Sequence, residues 1–476
     1  MSSDVAQGAG VDIDAITRGL AERDPDGRLV DLGIETIDLS AGAHTHVADA
    51  VERAIGSDPA ARVVLLQDEV LIERAGVDLK ADVLAQLADR YDCHTTVLSD
   101  GHPRLHADAD VLDAATGAVA GADCVVAIGG GTVSDVAKVA CERAGGMALV
   151  VVQTAASVDG FTDNVSVVLA NGVKRTIPSQ WPHTVLADPE TIRDAPQRLN
   201  ASGFGEALSM FTAPADWYLA HLVGLDDTYH EAPRHLLTSL GRDLSGWSSG
   251  VPRREPEAIA TLTRLLAVRG IATGVAGTTA ILSGSEHLVS HMLDLHHGAR
   301  GEEIGLHGEQ VGVASPVAAA VWAVLRRRLA EGLPALTIPD EDVARRQVSE
   351  AFDHLDPTGA TTAECWKAYS GKLARCAELL PHLQQLVDGW AEHDAKLDEL
   401  VAPPAELLGA LADAQVPATF ASLTPSVSDD LARWAVRSCL FMRDRFTAVD
   451  LLALSGGWDD ATVDEVLAAS LGVGDA

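Results

Sequence analysis

Cys124-Val-Val-Ala-Ile-Gly-Gly-Gly-Thr-Val-Ser-Asp-Val-Ala-Lys138 passes from one periodicity to another within a single short segment. Its apolar run, closed by glycine, reads as a buried parallel strand. Beyond Gly129-Gly130-Gly131-Thr132 the residues Val133, Val136, Ala137, Val139 and Ala140 recur at helical spacing. A helix N-terminus leaves backbone N–H groups unpaired and carries partial positive charge, and glycines without a Cβ let an anion come close. The expected ligand is a pyrophosphate, with Gly129, Gly130, Gly131, Thr132 and Asp135 as candidate cofactor-binding residues. A tight turn with no ligand is the plain alternative, since the spacing is not Gly-x-Gly-x-x-Gly.

Working outward, Arg62 to Asp68 is an apolar run ending in an acid, Leu79 to Arg90 is helical, and Thr95 to Leu98 is a second strand. A helix from about Asp108 to Ala120 leads into the glycine turn, and Met147 to Val152 supplies the next strand. Strands alternating with helices imply right-handed crossovers and a parallel sheet that binds ligands at the carboxyl ends of its strands. Asp68 sits at such an end, where a carboxylate accepts hydrogen bonds from ribose hydroxyls and repels a 2′-phosphate, which favours NAD over NADP. A solvated turn residue is the other reading of Asp68.

Gln153-Thr-Ala-Ala-Ser-Val-Asp-Gly-Phe-Thr162 is small, polar and glycine-punctuated, and lies where a strand should meet the cofactor. Thr154, Ser157 and Asp159 are the candidates there, against an ordinary surface loop with an Asp-Gly turn. Val165 to Leu169, Asn171-Gly172 and Val173 to Ile177 predict a hairpin, and Thr184 to Asp188 a last strand. From about Asp194 onward the pattern is nearly all helical, so a cleft is expected between a sheet domain and a helical domain.

The helical half carries Ser283-Gly-Ser-Glu-His287-Leu-Val-Ser-His291 and then Leu306-His307-Gly308-Glu309. His287 and His291 are one turn apart and share a helix face, and His307 starts a later segment able to return to the same point. Imidazoles with one carboxylate form a common ligand set for a divalent metal that keeps a position open for substrate. Surface or core histidines are the alternative, and His296 and His297 are read that way.

Composition narrows the partners. At 476 residues and 47% hydrophobic content the chain can bury a large core and hold two or three domains. The formal charge of -34, from 69 acidic against 35 basic residues, argues against nucleic acid and anionic membrane surfaces, which are bound through clustered Lys and Arg. A solvated surface, or adaptation to salt, accounts for the acidity. Six scattered cysteines without a Cys-x-x-Cys pair read as thiols of a reducing compartment. No signal peptide is expected at the start and no apolar stretch looks long enough to span a bilayer, so a cytoplasmic location is expected. Residues 1–57, rich in Asp, Gly and Ala, read as an N-terminal arm or an extension added before the main fold, 58–195 as the dinucleotide-binding α/β domain and 196–476 as the helical metal- and substrate-binding domain. A homo-oligomer acting on a small-molecule substrate is the expected assembly.

Five motifs in order resemble the family of iron-containing alcohol dehydrogenases, glycerol dehydrogenases and 3-dehydroquinate synthases, most closely its sn-glycerol-1-phosphate dehydrogenase branch. They are Gly129 to Lys138, Thr154 to Gly160, Val173 to Pro178 with Ala187-Asp188, Gly203-Phe-Gly-Glu206 with Ala215-Asp-Trp217, and the two histidine segments. The resemblance covers roughly 62–324. It implies a dehydroquinate synthase-like fold, with a Rossmann-like α/β domain followed by an all-α domain, and NAD on the glycine turn. By position Glu206, His287 and His307 would hold a divalent metal, Zn2+ ahead of Fe2+ or Ni2+, with His291 as proton relay near the substrate.

Two departures bear on the reaction. Dehydrogenases of this family usually carry Asp where Glu206 stands, and the synthases carry Glu. Conversely, the phosphate-binding Lys of the synthases is replaced by Ser209, and the Lys of the glycerol-phosphate branch by Met210. Lys174, with Arg175, is the remaining candidate to supply charge to a substrate. The expected activity is therefore a metal-dependent, NAD-linked interconversion of a small polyol or polyol phosphate, such as glycerol 1-phosphate, and its ketone. A cyclase or lyase that uses NAD transiently on a sugar or sugar phosphate is the second reading, and a non-catalytic scaffold the third.

Overall fold

The computed structural model describes residues 10–102, 104–170, 173–239 and 243–473, with the backbone alone described at 170, 173 and 174. The chain forms two compact units. The first is Met1–Phe204 with Glu231–Gly277, and the second is Gly205–His230 with Thr278–Ala476.

The strands of the first unit are β1 Gly10–Val11, β2 Thr36–Asp38, β3 Arg62–Asp68, β4 Glu73–Arg74, β5 Val77–Asp78, β6 Asp92–Leu98, β7 Cys124–Gly129, β8 Ala148–Gln153, β9 Val165–Ala170, β10 Val173–Pro178 and β11 Thr184–Ala187. Among the described residues one sheet has the order β1-β2-β11-β8-β7-β3-β6, parallel except for β1 against β2. Val63 to Leu66 of β3 and every residue of β7 are buried, as in strands covered on both faces. From β3 the chain moves outward to β6, then returns to the other side of β3 as β7 and continues to β8 and β11. The order therefore reverses between β3 and β7, whose Gln67 and Ile128 are in register. Asp68 and Gly129 end these two strands, at the position where doubly wound sheets bind ligands.

The hairpin β9–β10 forms with Val173 opposite Ala170, while the Asn171-Gly172 turn lies outside the described residues. The second unit is helical throughout, with a continuous apolar core that includes Trp322, Phe352, Leu383 and Leu451.

Three expectations are corrected. Residues 10–57 are not an arm or extension apart from the sheet, because β2 pairs with β11 and helix Val47–Ile55 buries Val47, Ala48, Ala50 and Val51 in the sheet's core. A three-residue strand among Asp and Gly leaves almost no periodic signal. The boundary at 195/196 also fails, since helix Pro256–Ala276 belongs to the sheet unit. Its glycines make that contact possible: a Cβ on Gly270 would stand 2.2 Å from Thr162 Oγ1, and one on Gly274 would stand 2.0 Å from the Trp181 ring. Helical periodicity identifies an element but not the layer it covers. Finally, helices Pro256–Ala276 and His307–Glu331 are long and apolar enough to cross a bilayer by length and composition, contrary to expectation. With 83% and 94% of their apolar windows buried, they have the character of core helices.

Candidate functional site

In the first unit the glycine turn joins β7 to helix Gly131–Arg143, whose N-cap, Gly130, has no side chain to satisfy the first-turn N–H groups. Gly130, Gly131 and Thr132 are half-buried, and a Cβ on Gly130 would meet nothing within 4 Å. The turn is thus open to a ligand. Thr154 extends the site, its N–H donating to the Gly129 carbonyl at 3.1 Å, and Ser157 lies half-buried in the loop beyond.

The three predicted carboxylates are engaged with cations. Asp68 Oδ1 accepts from Lys80 Nζ at 2.7 Å, and Lys80 also donates to the carbonyls of Asp68 and Val70 at 2.6 Å each. Asp159 pairs with buried Arg269 at 3.1 Å. Asp135 pairs at 3.2 Å with Lys138, which donates to Asp163 Oδ1 and the Gly160 carbonyl at 2.6 Å each. Burial disfavours charge on Lys138, but the two carboxylates outweigh it and hold the ammonium above its usual range. Lys138 therefore pins the 154–165 loop to the helix that starts at the glycine turn. The sequence-level reading assigned Lys138 no function, because a lysine in a helix gives no sign that its ammonium is buried.

The second unit brings Glu206, His287 and His307 together, with one donor atom from each lying within 4.8 Å of the others. Glu206 is in the last turn of helix Gln197–Ala207, His287 in the first turn of helix Ser285–Ala299, and His307 opens helix His307–Glu331. Glu206 Oε1 is 3.3 Å from His287 Nε2, and its Oε2 is 3.7 Å from His307 Nε2. Two donors each bonded to Zn2+ at ~2.0–2.2 Å stand ~3.3 Å apart in a tetrahedron. The donor set of one carboxylate and two imidazoles fits a divalent cation on that count.

Hydrogen bonds to the far nitrogens support the fit. Ser290 Oγ donates to Gln310 Oε1 at 2.8 Å, which leaves it to accept from His307 Nδ1–H at 3.1 Å, so Nε2 of His307 turns its lone pair towards Glu206. Burial alone would deprotonate His287, but hydrogen bonds to Glu206 and Glu286 outweigh it and raise its pKa to about 9. His291, one turn further on, stacks on His307 with ring centroids 5.5 Å apart. Lys174 lies in β10, and its side chain is outside the described residues.

The sequence reading missed two further groups, Glu286 and Asp216, although both fall inside quoted motifs. Asp216 Oδ2 accepts from the Ser285 N–H at 2.8 Å and Oδ1 from the Ala448 N–H at 2.9 Å, tying helix Ser285–Ala299 to the segment at 447–450. Burial and the neighbouring charge of Glu286 push the Asp216 carboxyl up to about 7 against these bonds.

Residues 42–196 match the family model described as iron-containing alcohol dehydrogenase. The chain is 33% identical over 214 residues to a Pyrococcus furiosus protein named glycerol-1-phosphate dehydrogenase, NAD(P)+, spanning 45% of this chain and 60% of that one. A Haloquadratum walsbyi protein of the same name is 31% identical over 259 residues, 52% of this chain and 73% of its own. Against the first of these, as against an Aeropyrum pernix relative matched over 57% of its length, the alignment spans less than two thirds of the relative. Among solved structures, glycerol dehydrogenase from Schizosaccharomyces pombe superposes with a TM-score of 0.57 at 16% identity, covering 91% of this chain and 89% of that one. A probable glycerol dehydrogenase from Sinorhizobium meliloti gives 0.55 at 15% identity, covering 91% and 95%. At these identities the likeness concerns the fold, a sheet unit followed by helices.

Proposed function

The chain belongs to the iron-containing alcohol dehydrogenase family, alongside the glycerol-1-phosphate dehydrogenases, and from that premise we propose that it is a metal-dependent, NAD-linked dehydrogenase. Its substrate is a small polyol or polyol phosphate, with glycerol 1-phosphate as the first candidate, interconverted with the ketone. The observation that carries this reading is the convergence of Glu206, His287 and His307, far apart along the chain, on one point.

When bound, the divalent cation supplies Lewis acidity at the substrate oxygen and NAD supplies the hydride acceptor. The chain's own residues do the rest. Gly129, Gly130, Gly131 and Thr132 receive the pyrophosphate, Thr154 and Ser157 offer hydroxyls to the cofactor, and Lys138 and Arg269 keep Asp135 and Asp159 from repelling it. Asp68 contacts the ribose. Glu206, His287 and His307 hold the cation, His291 moves the proton of the reacting hydroxyl, and Lys174 supplies charge to a phosphorylated substrate. Zn2+ suits the nitrogen-rich set, with Fe2+ or Ni2+ as substitutes. A cytoplasmic location fits the six cysteines, none of which is in a disulfide, and a homo-oligomer is the common assembly of soluble enzymes.

Glu206, longer by one methylene than the Asp usual in dehydrogenases of this family, favours the transient-NAD reading as the rival. Purification in chelator-free buffer followed by metal analysis and an NADH assay with polyols and their phosphates separates the two. The dehydrogenase accumulates NADH stoichiometrically and binds about one metal per chain, and His287→Ala loses both. A His287→Ala protein with full activity refutes the assignment.

A further inference from the structure

Glu286 lies in the first turn of the metal helix, fully buried, next in sequence to a proposed ligand. Its Oε1 accepts from His287 Nδ1 at 2.9 Å and from the Gly284 N–H at 2.6 Å, and its Oε2 accepts from Thr212 Oγ1 at 3.0 Å. A Cβ on Gly284 would fall 3.0 Å from Glu286 Oε2, so only glycine lets the backbone close over this carboxylate. A buried carboxylate is costly unless hydrogen-bonded, and here three partners converge on it.

We propose that Glu286 is a positioning residue that fixes the Nδ1–H tautomer and ring orientation of His287 and thereby sets the protein's affinity for the metal, without itself ligating it. The inference rests on the metal reading above. With Nδ1–H donated to Glu286, Nε2 is the nitrogen left for a metal to take, and Nε2 is the atom facing Glu206. Glu286 cannot serve as a fourth ligand in this arrangement, because Oε1 is turned to the far side of the His287 ring and Oε2 is committed to Thr212. His307 receives the same service from a neutral pair, Ser290 and Gln310. The two imidazoles are therefore oriented at Nδ1 by side chains of opposite character, a carboxylate for His287 and a neutral hydroxyl for His307.

Glutamine discriminates between positioning and ligation. In Glu286→Gln the amide oxygen still accepts from His287 Nδ1–H and the Gly284 N–H, while its NH2 donates to Thr212 Oγ1, so every partner stays satisfied. In Glu286→Ala the two N–H groups lose their acceptor. The metal-free full-length protein is titrated with Zn2+ in competition with a chromophoric chelator, and with Co2+ to record the visible spectrum. Glu286→Ala should bind Zn2+ about 10- to 100-fold more weakly with an altered Co2+ spectrum. Glu286→Gln should return to within a few-fold of wild type, and Thr212→Val should lose a few-fold. Wild-type affinity in Glu286→Ala overturns the proposal, as does Glu286→Gln binding as weakly as Glu286→Ala, which would assign the effect to the carboxylate's charge or to ligation rather than to the hydrogen bond at Nδ1. Thermal melts of the metal-free variants verify folding; if Glu286→Ala does not fold, unchanged affinity in Thr212→Val overturns the proposal instead. A wild-type protein that binds neither ion defeats the metal reading itself, a result distinct from all of these.

Discussion

A Cβ placed on Gly205 would stand 2.2 Å from the carbonyl oxygen of Gly308, so two helices touch backbone to backbone at the residues adjoining Glu206 and His307. That contact carries the carboxylate to the imidazole. In an isolated helix Gly205→Ala would gain about 1 kcal/mol. Here the overlap reverses the sign, and the variant should lose about 1–3 kcal/mol of stability together with metal affinity. Thermal melts and metal analysis check it, and a more stable variant with full metal content would show the contact to be dispensable.

His291 shares a face of the metal helix with His287 and stacks on His307 without belonging to the convergent ligand set. His291→Asn should keep the metal at wild-type stoichiometry while kcat drops by about 10²-fold or more, the usual contribution of a positioned proton carrier. Loss of metal in this variant would instead make His291 a ligand.

Gly130 has an extended backbone that any residue adopts, and open space where its Cβ would be. Gly130→Ala should therefore melt within about 0.5 kcal/mol of wild type while its KM for NAD rises at least tenfold. An unchanged KM would reduce the glycine turn to a fold element.

Asp68 neutralises Lys80 at the end of β3. Asp68→Gly removes a group that repels a 2′-phosphate and releases an ammonium able to attract one. The ratio of kcat/KM for NAD over NADP should fall by about 10- to 100-fold, equivalent to roughly 1.4–2.8 kcal/mol. A ratio that holds steady would mean that the acid does not face the ribose.

Asp216 has its folded-state pKa raised to about 7, from an ordinary value of 3.8. The folded state then binds the extra proton between these values, so the stability that Asp216 contributes is present below about pH 4 and is lost as pH rises towards 7. Asp216→Asn cannot titrate. Its melting temperature relative to wild type should climb between about pH 4 and 7 and level off above, whatever its constant offset from one lost acceptor. A pH-independent difference would place the Asp216 carboxyl in the ordinary range.

Strands β3, β7 and β8 were legible because a strand covered on both faces must be apolar throughout, and that pattern is local. The glycine turn and the His-x-x-x-His spacing were legible for the same reason. Glu286 was printed beside His287 yet carried no signal of its role, because a glutamate in a first helical turn is ordinary until Thr212, 74 residues away, is seen to close over it. Strand β2 and helix Pro256–Ala276 were misplaced because membership of a layer depends on what packs against an element.

Local order along the polymer thus specified the kinds of element, the glycine turn between strand and helix and the chemical types able to hold a cation. Chain folding alone determined that Glu206 reaches His287 and His307, that Lys138 and Arg269 are spent on carboxylates of the 154–165 loop, and that strands within residues 10–57 complete the sheet. Periodicity is written by neighbours a few residues apart, whereas convergence and burial are set by contacts between residues tens to hundreds of positions apart, which no local pattern encodes.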